Sequence, residues 1–131
     1  MAEEYRKITD ENGVSYEGCW KDGKKNGPFV VVTAESTIRC SYQDDVQFSE
    51  GTIDYTNGDR YKGRLEDLKP NGKGVMKFHD GIVYAGDFEN GLLDGLDCTI
   101  TYPNGDQYTG HFSHGVTYND GIYTYGKDSG K

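Results

Sequence analysis

One short pattern recurs along this chain at a nearly constant spacing. The pattern Tyr-x-Gly-x-apolar occurs in residues 61–65, 84–88 and 108–112, and each copy follows a turn-forming pair of residues that ends shortly upstream. The successive copies begin 23 and 24 residues apart. A fixed period in this range indicates a repeat architecture in which each copy is one small structural unit that packs on its neighbours.

Two further copies precede these three. Residues 12–20 contain the same pattern, with Trp20 as the closing apolar residue, and a degenerate copy follows in which Ile38 replaces the Tyr and Cys40 replaces the Gly. The sequence therefore predicts a single domain over residues 1–131 with five repeats that start near residues 13, 35, 58, 81 and 105. Residues 1–11 are predicted to add a partial strand around residues 6–9, and residues 127–131 to form a frayed tail.

Each repeat is predicted to be a strand, a loop, a second strand and a turn. Aromatic and β-branched residues alternate with polar ones in both halves of the units, which is typical of strands, and no segment has a helical period. Three Asn-Gly or Asp-Gly pairs predict tight turns with positive φ angles: Asn57-Gly58, Asp80-Gly81 and Asn104-Gly105. The central Gly of each pattern is expected to leave room for a ring to lie on the backbone.

These residues resemble the MORN repeat (membrane occupation and recognition nexus), whose pattern is Gly-x-x-Tyr-x-Gly-x-Trp/Phe. The resemblance covers residues 12–126 and is weakest in the second unit. It implies an all-β fold, a single-layer antiparallel sheet of consecutive β-hairpins that forms a twisted, curved ribbon with a groove. It also implies a binding module rather than an enzyme.

Composition narrows the classes of function. The 131 residues carry a formal net charge of −8, which disfavours binding to nucleic acid. No apolar run approaches the length of a membrane span, and the charged N-terminus does not resemble a signal peptide. Cys19, Cys40 and Cys98 are an odd number of cysteines, which indicates free thiols in a reducing compartment, and the expected location is cytoplasmic.

The sequence contains no recognisable catalytic constellation. His79, His111 and His114 have no Cys or carboxylate beside them at a spacing typical of zinc sites, and the cysteines have no adjacent activating base. We therefore expect a non-enzymatic protein without a cofactor or a metal site.

A row of aromatic residues is the first candidate for a binding surface. Its members occupy the aromatic positions of the repeats, and a one-layer sheet has no second sheet to cover them. The alternative is that these rings form the core. The candidate groove residues are Tyr16, Trp20, Tyr42, Tyr61, Tyr84, Phe88, Tyr108 and Phe112.

A basic patch in the third unit is the second candidate. The residues alternate with apolar ones and therefore share one side of the sheet, whereas no Lys or Arg occurs in residues 78–126. The patch could bind an acidic partner or lipid headgroups, form a head-to-tail contact between copies of the chain, or be an ordinary solvated surface. Its members are Arg60, Lys62, Arg64, Lys73 and Lys77.

Three functional hypotheses follow. The leading one is a scaffold that binds a segment of another protein through the aromatic groove. The alternatives are peripheral binding to anionic phospholipid membranes and a role as a regulatory subunit or accessory segment of an enzyme. Residues 121–125 are predicted to form an uncharged terminal strand, so a homodimer through the C-terminal strands or the aromatic faces is also expected, with a monomer as the alternative.

Overall fold

The computed structural model describes residues 3–118 and 120–126, with only the backbone described at Ser49. The tail predicted over residues 127–131 lies outside these ranges. The described residues form strands and turns and contain no helix. The thirteen strands are β1 (Glu3–Thr9), β2 (Ser15–Lys21), β3 (Lys24–Val32), β4 (Ser36–Gln43), β5 (Val46–Tyr55), β6 (Arg60–Glu66), β7 (Lys69–Lys77), β8 (Val83–Glu89), β9 (Leu92–Leu93), β10 (Gly95–Thr101), β11 (Gln107–Ser113), β12 (Val116–Thr117) and β13 (Ile122–Thr124).

All of these strands belong to one open antiparallel sheet. They pair in sequence order from β1 to β8, after which β8 pairs with β9 and β10, and β10 pairs with β11. Both β12 and β13 then pair with β11. The sheet is thus a ribbon of consecutive hairpins, which confirms the predicted fold class. The N-terminal strand spans Glu3–Thr9, longer than the predicted segment, and pairs with β2 along its whole length.

The shortest turns lie inside the repeats, where the sequence predicted less regular loops. Five two-residue turns connect paired strands, and both residues of each turn have positive φ, as a type I′ turn requires. They are Asp22-Gly23, Asp44-Asp45, Asp67-Leu68, Asn90-Gly91 and His114-Gly115.

The Asn-Gly and Asp-Gly pairs form the predicted tight turns, and the glycine of each pair adopts positive φ. At Asn57-Gly58 only the Gly has positive φ, +101°, and Gly58 N–H donates to the Tyr55 carbonyl at 3.0 Å. The Asn57 side chain accepts a hydrogen bond from Asp59 N–H at 3.0 Å. Asp80 and Asn104 accept equivalent bonds from the residue two positions later. The predicted tight turns are therefore present, with positive φ at the glycine of each pair, and the Asn and Asp side chains stabilise them by local hydrogen bonds.

One side of the sheet carries the core, and we call it the ring face. Its buried side chains come from positions that alternate with exposed ones along each strand. They are Trp20, Phe29, Val31, Ile38, Cys40, Tyr42, Ile53, Tyr61, Met76, Phe88, Leu93, Cys98 and Phe112. The other side, the opposite face, carries Glu17, Arg39, Lys62 and their neighbours. Because one layer of side chains forms the core, each ring is buried mainly by rings and glycines of adjacent strands.

Glycines in the strands provide the space that two of the buried rings occupy. A β-carbon placed on Gly74 would lie 2.5 Å from the Cε1 and Cζ atoms of Tyr61, and one on Gly18 would lie 2.7 Å from the Phe29 ring. Tyr61, which is fully buried, thus lies on the backbone of the next strand and donates its hydroxyl hydrogen to the Arg64 carbonyl at 2.7 Å. The predicted packing role is thus found at the central Gly18, whereas a β-carbon on the central Gly86 would meet Cys98 and one on Gly110 would first meet the backbone of Gly121.

Candidate functional site

The eight predicted groove residues all lie on the ring face, but they differ in exposure. Five are buried, namely Trp20, Tyr42, Tyr61, Phe88 and Phe112. The other three, Tyr16, Tyr84 and Tyr108, are half-buried and pack against that core from the side. Most of the aromatic row therefore serves as core, and these three rings are the members that a binding partner could reach.

Contacts within the protein hold the half-buried rings in place. Tyr84 packs edge-on against Phe78 with ring centroids 4.7 Å apart. Tyr108 packs against Phe112, and its hydroxyl accepts a hydrogen bond from Gly121 N–H at 2.9 Å and lies 2.8 Å from the Thr117 hydroxyl. Their positions are fixed before any partner binds, which lowers the entropic cost of an interaction.

A cavity of about 640 Å³ opens among the turns of the first three repeats, and we call it the turn pocket. Aromatic and aliphatic side chains form much of its lining, and three carboxylates and one ammonium group contribute the charged part. The lining residues are Tyr16, Lys25, Tyr42, Asp45, Val46, Gln47, Leu65, Glu66, Asp67 and Leu68. Only Tyr16 and Tyr42 belong to the predicted groove, so sequence reasoning missed most of this site.

A lysine of the chain itself occupies part of the turn pocket. The Lys25 ammonium lies 5.3 Å from the ring centroid of Tyr16 and 5.1 Å from that of Tyr42. It also lies 3.4 Å from the Asp45 carboxylate, which accepts a hydrogen bond from Lys25 N–H at 2.7 Å. That backbone hydrogen bond, with the ammonium, lowers the pKa of Asp45 despite the cost of its partial desolvation. The pocket therefore holds a cation between two rings and an ionised carboxylate.

The predicted basic patch lies on the opposite face. Arg60, Lys62, Arg64, Lys73 and Lys77 are all exposed. Arg60 pairs with Lys77 across the two strands and Lys62 pairs with Val75, so the cations surround a valine that is 37% exposed. Carboxylates border the patch: Asp54 forms an ion pair with Arg60 at 3.2 Å. The structure therefore brings the five cations together on one surface that is separate from the ring face.

Two of the three cysteines, Cys40 and Cys98, are buried in the core. Burial raises the pKa of Cys40 to about 11 and also raises that of Cys98, so both thiols stay protonated and weakly reactive near neutral pH. His114 lies near two carboxylates that the sequence did not indicate, because ligand atoms of Glu89, Asp94 and His114 are within 4.8 Å of one another.

Neighbouring turns explain the contact between His114 and Asp94. The Asp94 carboxylate accepts a hydrogen bond from His114 N–H at 2.9 Å. Asn26 gives the same support to Asp44 N–H, at 3.2 Å, between the first and second repeats. The His114 cluster thus uses a hairpin-to-hairpin contact that occurs elsewhere in the sheet, and the absence of a metal site stays a prediction.

No described residue belongs to a helix with the length and apolar composition that crossing a bilayer requires. The family model described as MORN repeat matches residues 16–28, 61–83 and 84–107. These segments begin at Tyr16, Tyr61 and Tyr84, which are the first residues of three copies of the Tyr-x-Gly-x-apolar pattern. The degenerate second unit, around Ile38, is not among the matched segments.

Comparison with known proteins gives the same result. Alsin of Rattus norvegicus is 43% identical over 70 residues, and alsin of Homo sapiens is 41% identical over 70 residues. Each match covers 50% of this chain and 4% of the relative, so the chain spans only a small part of the length of these proteins. Repeats of this kind generally mediate protein or membrane interactions and are generally non-enzymatic. The matched segments and the ribbon of consecutive hairpins together show that this chain contains MORN repeats, at residues 16–28, 61–83 and 84–107.

Proposed function

We propose that the chain is a non-enzymatic interaction module that binds a segment of a partner protein on its ring face. The observation that carries this proposal is the placement of Tyr16, Tyr84 and Tyr108, which are held by internal contacts and yet remain partly accessible along one side of the ribbon. Fixed aromatic side chains supply large contact areas at a low entropic cost, and aromatic residues dominate the energetics of many interfaces.

The buried rings define how this proposal should be tested. Substitution of Phe88, which is 4% exposed, would unfold the sheet as well as remove a contact. Tyr16→Ser with Tyr84→Ser changes partly accessible rings instead. The matched control is Phe48→Ser with Val75→Ser, because Phe48 and Val75 are exposed apolar residues that lie away from the ring face.

The experiment is affinity purification with wild type and both variants, followed by mapping of the captured partner. We expect the ring-face variant to lose a partner that the control variant retains, with circular dichroism showing both variants folded. Capture of the same partners by wild type and by the folded ring-face variant would exclude the ring face as the binding surface.

The exposed cations favour a second candidate function, peripheral binding to anionic phospholipids. Lys62, Lys73 and Lys77 surround the exposed Val75, an arrangement that suits headgroups around a shallow apolar contact. The net charge of −8 and the neighbouring Asp54 oppose it. If this function holds, wild type should float with phosphatidylserine vesicles, and the variant Lys62→Glu with Lys77→Glu should not. Equal flotation of wild type and the variant, or equal flotation of wild type with phosphatidylserine and with neutral vesicles, would exclude this function.

A further inference from the structure

We infer that the turn pocket is a subsite for an arginine side chain of the partner segment. This inference rests on the proposed function, because it names the chemistry that the ring face would recognise at one place. Three observations on the pocket carry it: its carboxylates, the lysine already held there, and two residues that depart from the repeat pattern.

The charge of the turn pocket selects a cation. Asp45, Glu66 and Asp67 line it together with a single cation, Lys25. Among the described residues, Glu66 and Asp67 form no ion pair, whereas Asp45 pairs with Lys25. Two carboxylates thus remain available beside an apolar lining. An arginine fits this combination because its guanidinium can bind a carboxylate through two hydrogen bonds and can also stack on aromatic rings.

Lys25 shows how a cationic side chain is accommodated. Its ammonium lies over the rings of Tyr16 and Tyr42, and only 23% of its side chain is exposed. Favourable cation–ring contacts of this type need a cation within about 6 Å of the ring centre. An incoming guanidinium would use the same rings and carboxylates, so Lys25 is expected to compete with it.

The third repeat departs from the pattern at two residues that line the pocket. Leu65 stands where the first, fourth and fifth repeats have Trp20, Phe88 and Phe112. The smaller side chain leaves open space in the row of closing aromatic residues. The volume of the pocket is within the usual range for ligand sites.

Leu68 is the second departure. It has a φ angle of +62°, at a turn position where three of the other repeats have glycine. A leucine in this conformation is strained, since the left-handed region is unfavourable for residues with a β-carbon. Its half-buried side chain lines the pocket and packs against the core. Strained residues of this kind are found preferentially at functional sites.

The test is a titration followed by ¹H–¹⁵N NMR, with the acetylated and amidated peptide Gly-Leu-Arg-Leu-Gly as the probe. A second peptide with citrulline in place of arginine keeps the shape and removes the charge. We expect the arginine peptide to shift the amide signals of Lys25, Val46 and Leu68, and to bind about tenfold more tightly than the citrulline peptide. Equal affinities, no binding, or shifts confined to other residues would overturn the inference.

Three sets of variants localise the effect. Glu66→Gln with Asp67→Asn should weaken arginine-peptide binding about tenfold, whereas Glu89→Gln with Asp97→Asn removes two charges elsewhere and should not. Asn is suited to position 67 because it tolerates the φ angle of +53° found there. If both double variants weakened binding equally, only the overall charge would matter, and the inference would be overturned.

Lys25→Met should strengthen peptide binding several-fold, because it frees the two rings and Asp45, and the exposed Lys24→Met is its matched control. Leu65→Phe restores the closing aromatic residue that other repeats carry, and it should fill the pocket and abolish binding without unfolding the sheet. If Leu65→Phe binds the peptide as wild type does, the pocket is not the site.

The same variants separate this inference from the proposed function. A natural partner that binds Glu66→Gln with Asp67→Asn as tightly as wild type, but loses Tyr16→Ser with Tyr84→Ser, would overturn the arginine subsite and leave the proposed function intact. A partner that is insensitive to the ring-face variant would overturn the proposed function itself.

Discussion

Gly74→Ala tests whether the rings of this sheet require glycine beneath them. The new β-carbon would lie 2.5 Å from two ring carbons of Tyr61, inside the 3.0 Å that real β-carbons essentially never breach. Tyr61 is fully buried, so its ring cannot swing into solvent without exposing apolar area. Overpacking of this kind costs about 1–3 kcal/mol, and displacement of the Tyr61 hydroxyl from the Arg64 carbonyl adds about 1 kcal/mol.

The replacement of glycine by alanine in a strand offsets roughly 0.5–1 kcal/mol of this cost. We therefore expect Gly74→Ala to lower the free energy of unfolding by about 2–3 kcal/mol. Urea denaturation followed by circular dichroism measures the change, and the fluorescence of Trp20, the single tryptophan, reports whether the first repeat unfolds together with the rest.

A double-mutant cycle with Tyr61→Leu identifies the cause. Leucine lacks the ring atoms that the new β-carbon would meet, so Gly74→Ala should cost less than about 0.5 kcal/mol in the Tyr61→Leu background. A cost of about 2–3 kcal/mol in both backgrounds would show that the Tyr61 ring is not the reason for the glycine. A change below about 0.5 kcal/mol in the wild-type background would refute the packing argument altogether.

Three further predictions concern contacts between repeats and the end of the sheet. The His79 ring donates a hydrogen bond to the Asp59 carboxylate at 2.9 Å, which raises the pKa of His79 above 6.5, so protonated His79 stabilises the fold at low pH and that contribution is lost as the pH rises through the raised pKa. As the pH rises from below 6.5 through the raised pKa, the melting temperature should fall more steeply for wild type than for His79→Gln, and identical slopes of melting temperature against pH would contradict the prediction. The hydrogen bond from the Tyr123 hydroxyl to Asp106 is the main reason that the pKa of Tyr123 is raised to about 12. The attachment of β13 should therefore weaken as Tyr123 ionises between pH 10.0 and about 12. The absorbance titration of tyrosinate should show this ionisation for wild type and lack it for Tyr123→Phe. Ile122 is 72% exposed on the terminal strand, whose open edge can pair with a second copy of the chain. Light scattering at high concentration should therefore give a mass above 14.6 kDa for wild type and 14.6 kDa for Ile122→Lys. A mass of 14.6 kDa for both proteins at every concentration would exclude self-association.

The alternation of residues in the sequence was sufficient to predict strands and the side of the sheet on which their side chains lie. Alternation with a period of two assigned Tyr61 and Arg60 to different sides of β6, and the structure buries the first and exposes the second. The N-terminal strand was harder to predict over its full length, because every residue from Glu3 to Thr9 is exposed and its composition therefore carries no burial pattern.

The turns show where local sequence rules fail. Asn-Gly is a strong signal for a two-residue hairpin turn, but at Asn57-Gly58 three residues, 56–58, separate the hydrogen-bonded pair Tyr55 and Asp59, and only the Gly takes positive φ. The two-residue turns include Asp67-Leu68, which no turn preference would indicate. Strand pairing on both sides of that turn imposes its geometry, so tertiary contacts override the local preference of leucine.

The sequence could not separate binding rings from core rings because both occupy the same positions of the repeat. Tyr61 and Tyr84 each begin a matched segment, yet the first is fully buried and the second half-buried. Their exposure depends on which side chains the neighbouring repeats contribute. Tyr61 packs against Phe88 with ring centroids 5.3 Å apart, whereas Tyr84 packs against Phe78, which is itself only half-buried.

The departures from the repeat pattern therefore carry more functional information than the pattern itself. Residues that match the pattern are explained by packing, because each repeat needs a ring, a small residue and a closing aromatic to cover its neighbour. Leu65 and Leu68 fit neither the closing aromatic position nor the glycine turn position, and they coincide at one cavity together with Asp45, which also replaces a turn glycine. Neither packing nor turn geometry requires these three substitutions. A shared role in forming the turn pocket explains all of them, and the response of peptide binding to Leu65→Phe would measure that role directly.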